Sequence, residues 1–364
     1  MTKLLHVVGA RPNFMKVAPV LHAGNARGGL RQVLLHTGQH YDAAMSDRFF
    51  EELGLPEPDV NLGVGSGTHA VQTGKILIEF DPVLERERPD WVVVYGDVNS
   101  TVACALAAVK RGVRVAHVEA GLRSFDRTMP EEINRILTDQ LADLCLTPSR
   151  DGNFHRAAEG IPADRVKLVG NVMVDTLFRL RPAARRRAMP AELGVEGLPF
   201  ALVTLHRPSN VDSREVLAEL LEGLREVAAV MPVIFPIHPR TRQRIAEFGL
   251  ESLATGLRLL DPLGYIETVS LLDQAAIVLT DSGGLQEETT MLGVPCVTMR
   301  PNTERPVTIT EGTNRLIEST RAAMLAAFHD VMEQKRIGGY RPGSPEGWDG
   351  KAGERVIAEI VGAD

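Results

Sequence analysis

Between His117 and Arg135 the chain reads HVEAGLRSFDRTMPEEINR, with Glu119, Glu131 and Glu132 set among Arg123, Arg127 and Arg135. An apolar strand leads into this stretch and an amphipathic helix leads out, and such a junction is where α/β proteins bind ligands. Glu131 and Glu132 follow Pro130 at a helix start, and Glu131 stands four residues before Arg135. Both therefore have a structural reading as first-turn acids. Glu119 has none, because it ends a buried strand and Ala120-Gly121 follows it. Asp97, behind Gly96, ends the neighbouring strand in the same manner. Two carboxylates on adjacent strand ends and a third on the following helix could surround one small substrate. Carboxylates in different environments are what general acid and base chemistry needs.

Other strands end on polar residues as well: GARPNFMK (Gly9 to Lys16), HTGQH (His36 to His40), His206-Arg207, His238 to Arg240, and TDSGG (Thr280 to Gly284). Ser282, Gly283 and Gly284 follow a strand and open a helix, whose free amides and dipole suit a phosphate. The competing reading is a serine N-cap with small residues for packing. Glu287-Glu288, one turn on, could accept the hydroxyls of a ribose, and diphosphate plus ribose is a nucleotide. Arg11 and Lys16 flank Pro12 at another helix start, where two cations oppose the dipole unless an anion lies between them. The first strand leads to GARPNF rather than G-x-G-x-x-G, GVGSGT (Gly63 to Thr68) follows no convincing strand, and there is no P-loop. The ten histidines form no metal-ligand cluster by spacing, so no metal and no redox cofactor are expected.

These residues need a scaffold, and the sequence supplies one. Short Val/Ile/Leu runs (LLHVVG, QVLLHTG, WVVVYGD, VRVAHVE, LCLTPS, VKLVGN) alternate with helical stretches, one of them near residues 42–53. The rhythm restarts at FALVTLH and continues through PVIFPIH, LRLLD, AAIVLTDSGG and VPCVTM. Near-continuous apolar strands between helices mean a parallel sheet covered on both faces. The expected fold is α/β, with two Rossmann-like doubly wound domains facing each other across a cleft. The first covers residues 1–180 and carries the acids. A linker rich in Ala, Arg and Pro, with room for a helical end within it, spans residues 181–199. The nucleotide-binding domain covers 200–350, and a last helix in 351–364 could pack back on the first domain.

With 364 residues, 44% hydrophobic content and a net charge of -7, the chain reads as a soluble protein without the broad basic face of a nucleic-acid binder. No apolar run approaches a membrane span, and the N-terminal one is too short for a signal peptide. Cys104, Cys145 and Cys296 fall in apolar contexts, which suits free thiols in the cytoplasm.

Taken together and in order, GARPNFMKVAP, GDVNST, HVEAGLRS…PEEINR, GN…DTL, HRPSN, TDSGGLQEE…G.P…R..TERP and GTNRL resemble the non-hydrolysing UDP-N-acetylglucosamine 2-epimerases. The resemblance runs from about residue 4 to 335. It implies the GT-B fold, a homodimer, a UDP-sugar substrate and interconversion of UDP-N-acetylglucosamine with UDP-N-acetylmannosamine. It further implies Asp97, Glu119 and Glu131 as catalytic acids, with His206 on the phosphates assisting their departure. Ser282, Gly283 and Gly284 would hold the diphosphate, and Glu288 the ribose. Arg11, Lys16, Arg135, His238, Arg305 and Arg315 would complete the substrate contacts. The family tends to carry an acid where Asn13 stands, and a second arginine where Pro208 stands. A sibling group acting on UDP-2,3-diacetamido-glucuronic acid shares the fold. A GT-B glycosyltransferase or a non-catalytic nucleotide-sugar sensor would keep the UDP site, but neither needs so many acids at strand ends.

Overall fold

The computed structural model describes residues 1–39 and 50–363. The helix expected near residues 42–53 lies largely outside them. The chain divides into two compact units: Met1–Arg179 with Glu346–Asp364, and Leu180–Pro345.

In the first unit, seven strands form one sheet: β1 (Thr2–Val8), β2 (Leu30–His36), β3 (Val60–Asn61), β4 (Trp91–Tyr95), β5 (Arg114–Val118), β6 (Leu144–Thr147) and β7 (Val166–Leu168). Their order is β3-β2-β1-β4-β5-β6-β7, and every pairing is parallel. Val92, Val93 and Val94 have no exposed surface, as expected of central strands covered by helices on both faces. The second unit has β8 (Ala201–Thr204), β9 (Val233–Pro236), β10 (Arg258–Leu260), β11 (Ile277–Thr280), β12 (Cys296–Met299) and β13 (Asn314–Ile317). It is again parallel throughout, in the order β10-β9-β8-β11-β12-β13.

Both sheets reverse direction of growth at one place, between β1 and β4 and between β8 and β11. Ligands bind open α/β sheets at such switch points, beyond the carboxyl ends of the strands. Gly9 and Asp97 stand there in the first unit, His206 and Asp281 in the second. The fold class is thus two doubly wound Rossmann-like units, the domain type of the GT-B class.

A helical end lies within the stretch 181–199: the helix Val172–Arg187 runs into it, and Met189–Glu192 is helical again. Its alanines and arginines are strong helix formers, and the helix continues through Pro182. GVGSGT does follow a strand, β3, but one of only two residues at the sheet edge. The last helix, Ala352–Gly362, packs in the first unit: Asp175 accepts the amides of Ala352 (3.1 Å) and Gly353 (2.8 Å). A Cβ at Gly353 would stand 2.6 Å from the Pro19 carbonyl, so glycine permits this approach to the helix Arg11–Arg27. Among the described residues, no helix is long and apolar enough to cross a membrane.

Candidate active site

In the first unit the site begins where β1 and β4 end. Asn13 accepts the amides of Gly9 and Ala10 (both 3.1 Å) and donates to the Tyr95 carbonyl (2.9 Å), tying the two strand ends together. An ionised aspartate could accept the first two bonds but could not donate the third, which explains asparagine here. Three residues on, Lys16 forms a buried ion pair with Glu119. Its anion is therefore a carboxylate of the chain itself. Gly96 makes room for the pair: a Cβ there would lie 2.6 Å from Lys16 Nζ and 3.1 Å from Glu119 Oε2.

Glu119 has a φ of 71°, in the left-handed region. For a non-glycine residue this costs about 1–2 kcal/mol. The amides of Glu119 and Ala120 both donate to the Leu146 carbonyl at 3.1 Å, which holds the turn. Strain of this kind at a strand end points to a functional carboxylate.

On the helix Pro130–Leu141 the two adjacent glutamates have separate fates. Glu132 is buried and accepts the amide (2.9 Å) and hydroxyl (3.0 Å) of Ser124, the Phe125 amide (2.9 Å) and Arg135 (2.8 Å). Burial would raise its carboxyl, but Ser124 and Arg135 outweigh burial and hold it below the ordinary value. It pins the loop. Glu131 lines a cavity of about 330 Å³ together with Gln39, His69, Gln72, Asp97, Asn99 and Asn134. Among the described residues, no hydrogen bond or ion pair engages the Glu131 carboxylate. Asp97 Oδ2 accepts a bond from Arg135 NH1, so Arg135 links Asp97 to Glu132. Asn134 donates to the Asp97 carbonyl (2.9 Å), and Asn99 donates to Gln72 (2.8 Å). A larger opening of about 550 Å³ lies toward the far end of the helix Arg11–Arg27, lined by Pro19, His22, Arg27 and Arg179, and holds none of these acids.

In the second unit Asp281, fully buried, organises the end of β8. It accepts the amides of His206 and Arg207 (both 2.9 Å), and His206 Nδ1 lies 3.0 Å from it. Burial raises Asp281, yet His206 outweighs that and leaves it lowered. His238 lies 6.0 Å from His206 between ring centroids, and burial followed by the charge of His206 lowers it. Ser282 stands at the N-cap of the helix Gly283–Leu292 but makes no side-chain cap bond, so capping does not account for the serine. A Cβ at Gly283 would lie 2.8 Å from Arg305 NH1 and 3.9 Å from Arg300 NH1. Cations massed on the positive end of a helix fit an anion there. Arg300 is itself clamped by Glu304 (2.7 and 3.0 Å), and Arg305 by Glu287 (2.9 Å). Tyr265 donates to Glu288 Oε1 at 2.8 Å.

The UDP-N-acetylglucosamine 2-epimerase family model matches residues 22–361. The chain belongs to that family. It is 43% identical to the UDP-N-acetylglucosamine 2-epimerase of Methanocaldococcus jannaschii over 98% of both chains. It is 45% identical to the UDP-2,3-diacetamido-2,3-dideoxy-D-glucuronate 2-epimerase of Pseudomonas aeruginosa, over 88% of this chain and 89% of that one. Among solved structures, the Methanocaldococcus jannaschii UDP-GlcNAc 2-epimerase in complex with UDP-GlcNAc and UDP superposes with a TM-score of 0.88 at 40% identity, over all of both chains.

Within this epimerase-family chain, Lys16, Asp97, Glu119, Glu131 and Arg135 come together in the first unit. His206, His238, Ser282, Gly283, Gly284, Glu288 and Arg305 stand at the strand ends and the helix start of the second. Arg315 does not join them. It lies on β13 and pairs with Asp330 on the helix Arg321–Arg336. His40 and the side chain of Arg11 lie outside the described residues. Sequence reasoning missed His69, Gln72 and Asn134, neutral residues with no local signature. It also missed Asp281 and Arg300, whose signal was present in TDSGG and in the arginine four residues before Glu304.

Glu288 offers a pH test. Burial, with Glu287 adding to it and the Tyr265 bond opposing, raises its carboxyl from 4.5 to about 7. The folded state therefore keeps a proton that the unfolded state releases, and Glu288 costs stability as pH rises from about 4.5 to about 7. Glu288→Gln carries no such charge. Its stability, relative to the parent, is expected to climb across that window and level off above it, by on the order of 3 kcal/mol at most. Thermal unfolding at stepped pH measures this, and a difference independent of pH would contradict the assignment.

Proposed function

We propose that this chain interconverts UDP-N-acetylglucosamine and UDP-N-acetylmannosamine by inverting C-2 of the sugar. The reading rests on the cavity shared by Asp97 and Glu131, with the strained Glu119 on the neighbouring strand end. The hydrogen on C-2 is not beside a carbonyl, so a carboxylate cannot remove it directly. The C-1–O bond to UDP breaks first, the bonding pair leaving with UDP. A carboxylate then takes the C-2 proton, and the freed pair forms the C-1=C-2 double bond of a 2-acetamidoglucal. Return of UDP to C-1, with a proton delivered to the opposite face of C-2, gives the epimer. This sequence needs an acid or base on each face, which Asp97, Glu119 and Glu131 supply. It also needs positive charge for the departing diphosphate, which His206, Arg305 and the amides of Gly283 and Gly284 supply in the second unit, with Glu288 on the ribose and His238 beside His206. Lys16 holds Glu119 through their ion pair, while Arg135 orients Asp97. The reading includes a homodimer in the cytoplasm, the assembly the family resemblance implies; the buried free thiols fit that compartment.

A second reading has one observation in its favour, the 45% identity to the diacetamido-glucuronate epimerase. A uronate brings an extra carboxylate. The described residues that line the Asp97–Glu131 cavity include no lysine or arginine, and Arg135, which bonds Asp97, is already paired with Asp97 and Glu132, which favours the uncharged hexosamine. Offering both UDP-sugars separately tests this. UDP-N-acetylglucosamine is expected to be turned over with the higher kcat/KM, and preference for the uronate would overturn the choice of sugar.

A further inference from the structure

His117 sits on β5 two residues before Glu119 and is fully buried. Its Nε2 donates to the Gly96 carbonyl at 2.7 Å, and its Nδ1 lies 2.6 Å from Asp139 Oδ1. The other oxygen of Asp139 accepts the Gly121 amide (3.2 Å) and Arg123 NH2 (2.8 Å), and pairs with Arg156. Gly96 is the residue before Asp97, and Gly121 is the second residue after Glu119. One imidazole–carboxylate pair thus joins the peptide that aims Asp97 to the turn that follows Glu119. Gly96 (φ 62°) and Gly121 (88°) take left-handed conformations that glycine permits, and Glu119 (71°) between them holds one against its local preference. Stability does not explain the arrangement, because buried ion pairs contribute little net over apolar residues of similar volume.

We propose that His117 and Asp139 are positioning residues for the C-2 proton transfers, holding the carboxylates of Asp97 and Glu119 in one fixed relation. The inference rests on the epimerase reading above. A displacement of about 1 Å in catalytic geometry costs about 10²-fold in rate. The effect should fall on the proton step, and nucleotide binding by the second unit should be untouched.

The two arms can be separated in the full-length protein. Glutamine places an amide nitrogen near the position of Nε2, and asparagine places one near Nδ1. His117→Gln therefore keeps the bond to Gly96, whereas His117→Asn keeps only the bond to Asp139. His117→Asn is expected to lose about 10²-fold in kcat with KM and UDP affinity within about twofold of the parent. Its C-2 deuterium isotope effect should rise, because proton removal becomes more rate-limiting. His117→Gln is expected to stay within about tenfold of the parent. A purely structural role reduces the number of active molecules and leaves the isotope effect unchanged. An unchanged isotope effect, or equal losses in the two variants, would overturn the proposal. If His117→Asn does not accumulate as folded protein, the isotope effect of Asp139→Asn takes its place: a rise supports the positioning role, and no change overturns it. Absence of epimerisation by the parent itself would overturn the functional reading, and the positioning role with it.

Discussion

Glu131→Gln is expected to bind UDP as the parent does while losing about 10²–10⁴-fold of turnover, the usual toll for removing a general acid or base. Asp97→Asn and Glu119→Gln should behave alike. The surroundings of each acid set these expectations. Glu132, one residue along, has its oxygens engaged by Ser124, Phe125 and Arg135, and its loss should register as instability of the loop. Glu131 has no such engagement among the described residues, so its substitution should leave the melting temperature almost unchanged. Isothermal titration with UDP, thermal unfolding and turnover on the same preparations separate the cases. Near-normal turnover in Glu131→Gln would return that residue to a helix-start acid.

Lys16→Met is expected to be the most destabilising single change at the site. Both partners of the Lys16–Glu119 pair are buried, with side-chain exposures of 7% and 5%. Removing one partner of a buried pair costs about 3–5 kcal/mol, which for a unit of this size is on the order of 10 °C in Tm. The double variant Lys16→Met/Glu119→Gln should regain most of the lost stability and none of the turnover. A Lys16→Met protein as stable as the parent at every pH would show that the pair is not a structural element of the resting enzyme.

The sheets were legible because parallel strands are buried on both faces and so read as unbroken Val/Ile/Leu runs. The acids were legible because a charge at the end of such a run has no structural excuse. Asp97 and Glu119 stood out on that ground alone. The division of labour between Glu131 and Glu132 was not readable. Adjacent helix positions point about 100° apart, and which faces a loop and which a cavity depends on tertiary packing. The cavity amides, Gln72 and Asn134, were invisible for a related reason, since neutral polar residues are common on any helix surface. Arg315 lies within a family motif, and its pairing with Asp330 on a covering helix had no local signal in the sequence. In the stretch 181–199 the prolines suggest a linker and the alanines and arginines a helix, and the helix Val172–Arg187 runs into it.

A proton NMR time course of this protein with UDP-N-acetylglucosamine in heavy water tests the elimination mechanism most directly. The mechanism predicts growth of UDP-N-acetylmannosamine carrying deuterium at C-2, because the proton removed by a carboxylate exchanges with solvent before another is delivered to the opposite face. Product that retains its original hydrogen at C-2, or no UDP-N-acetylmannosamine at all, would contradict it.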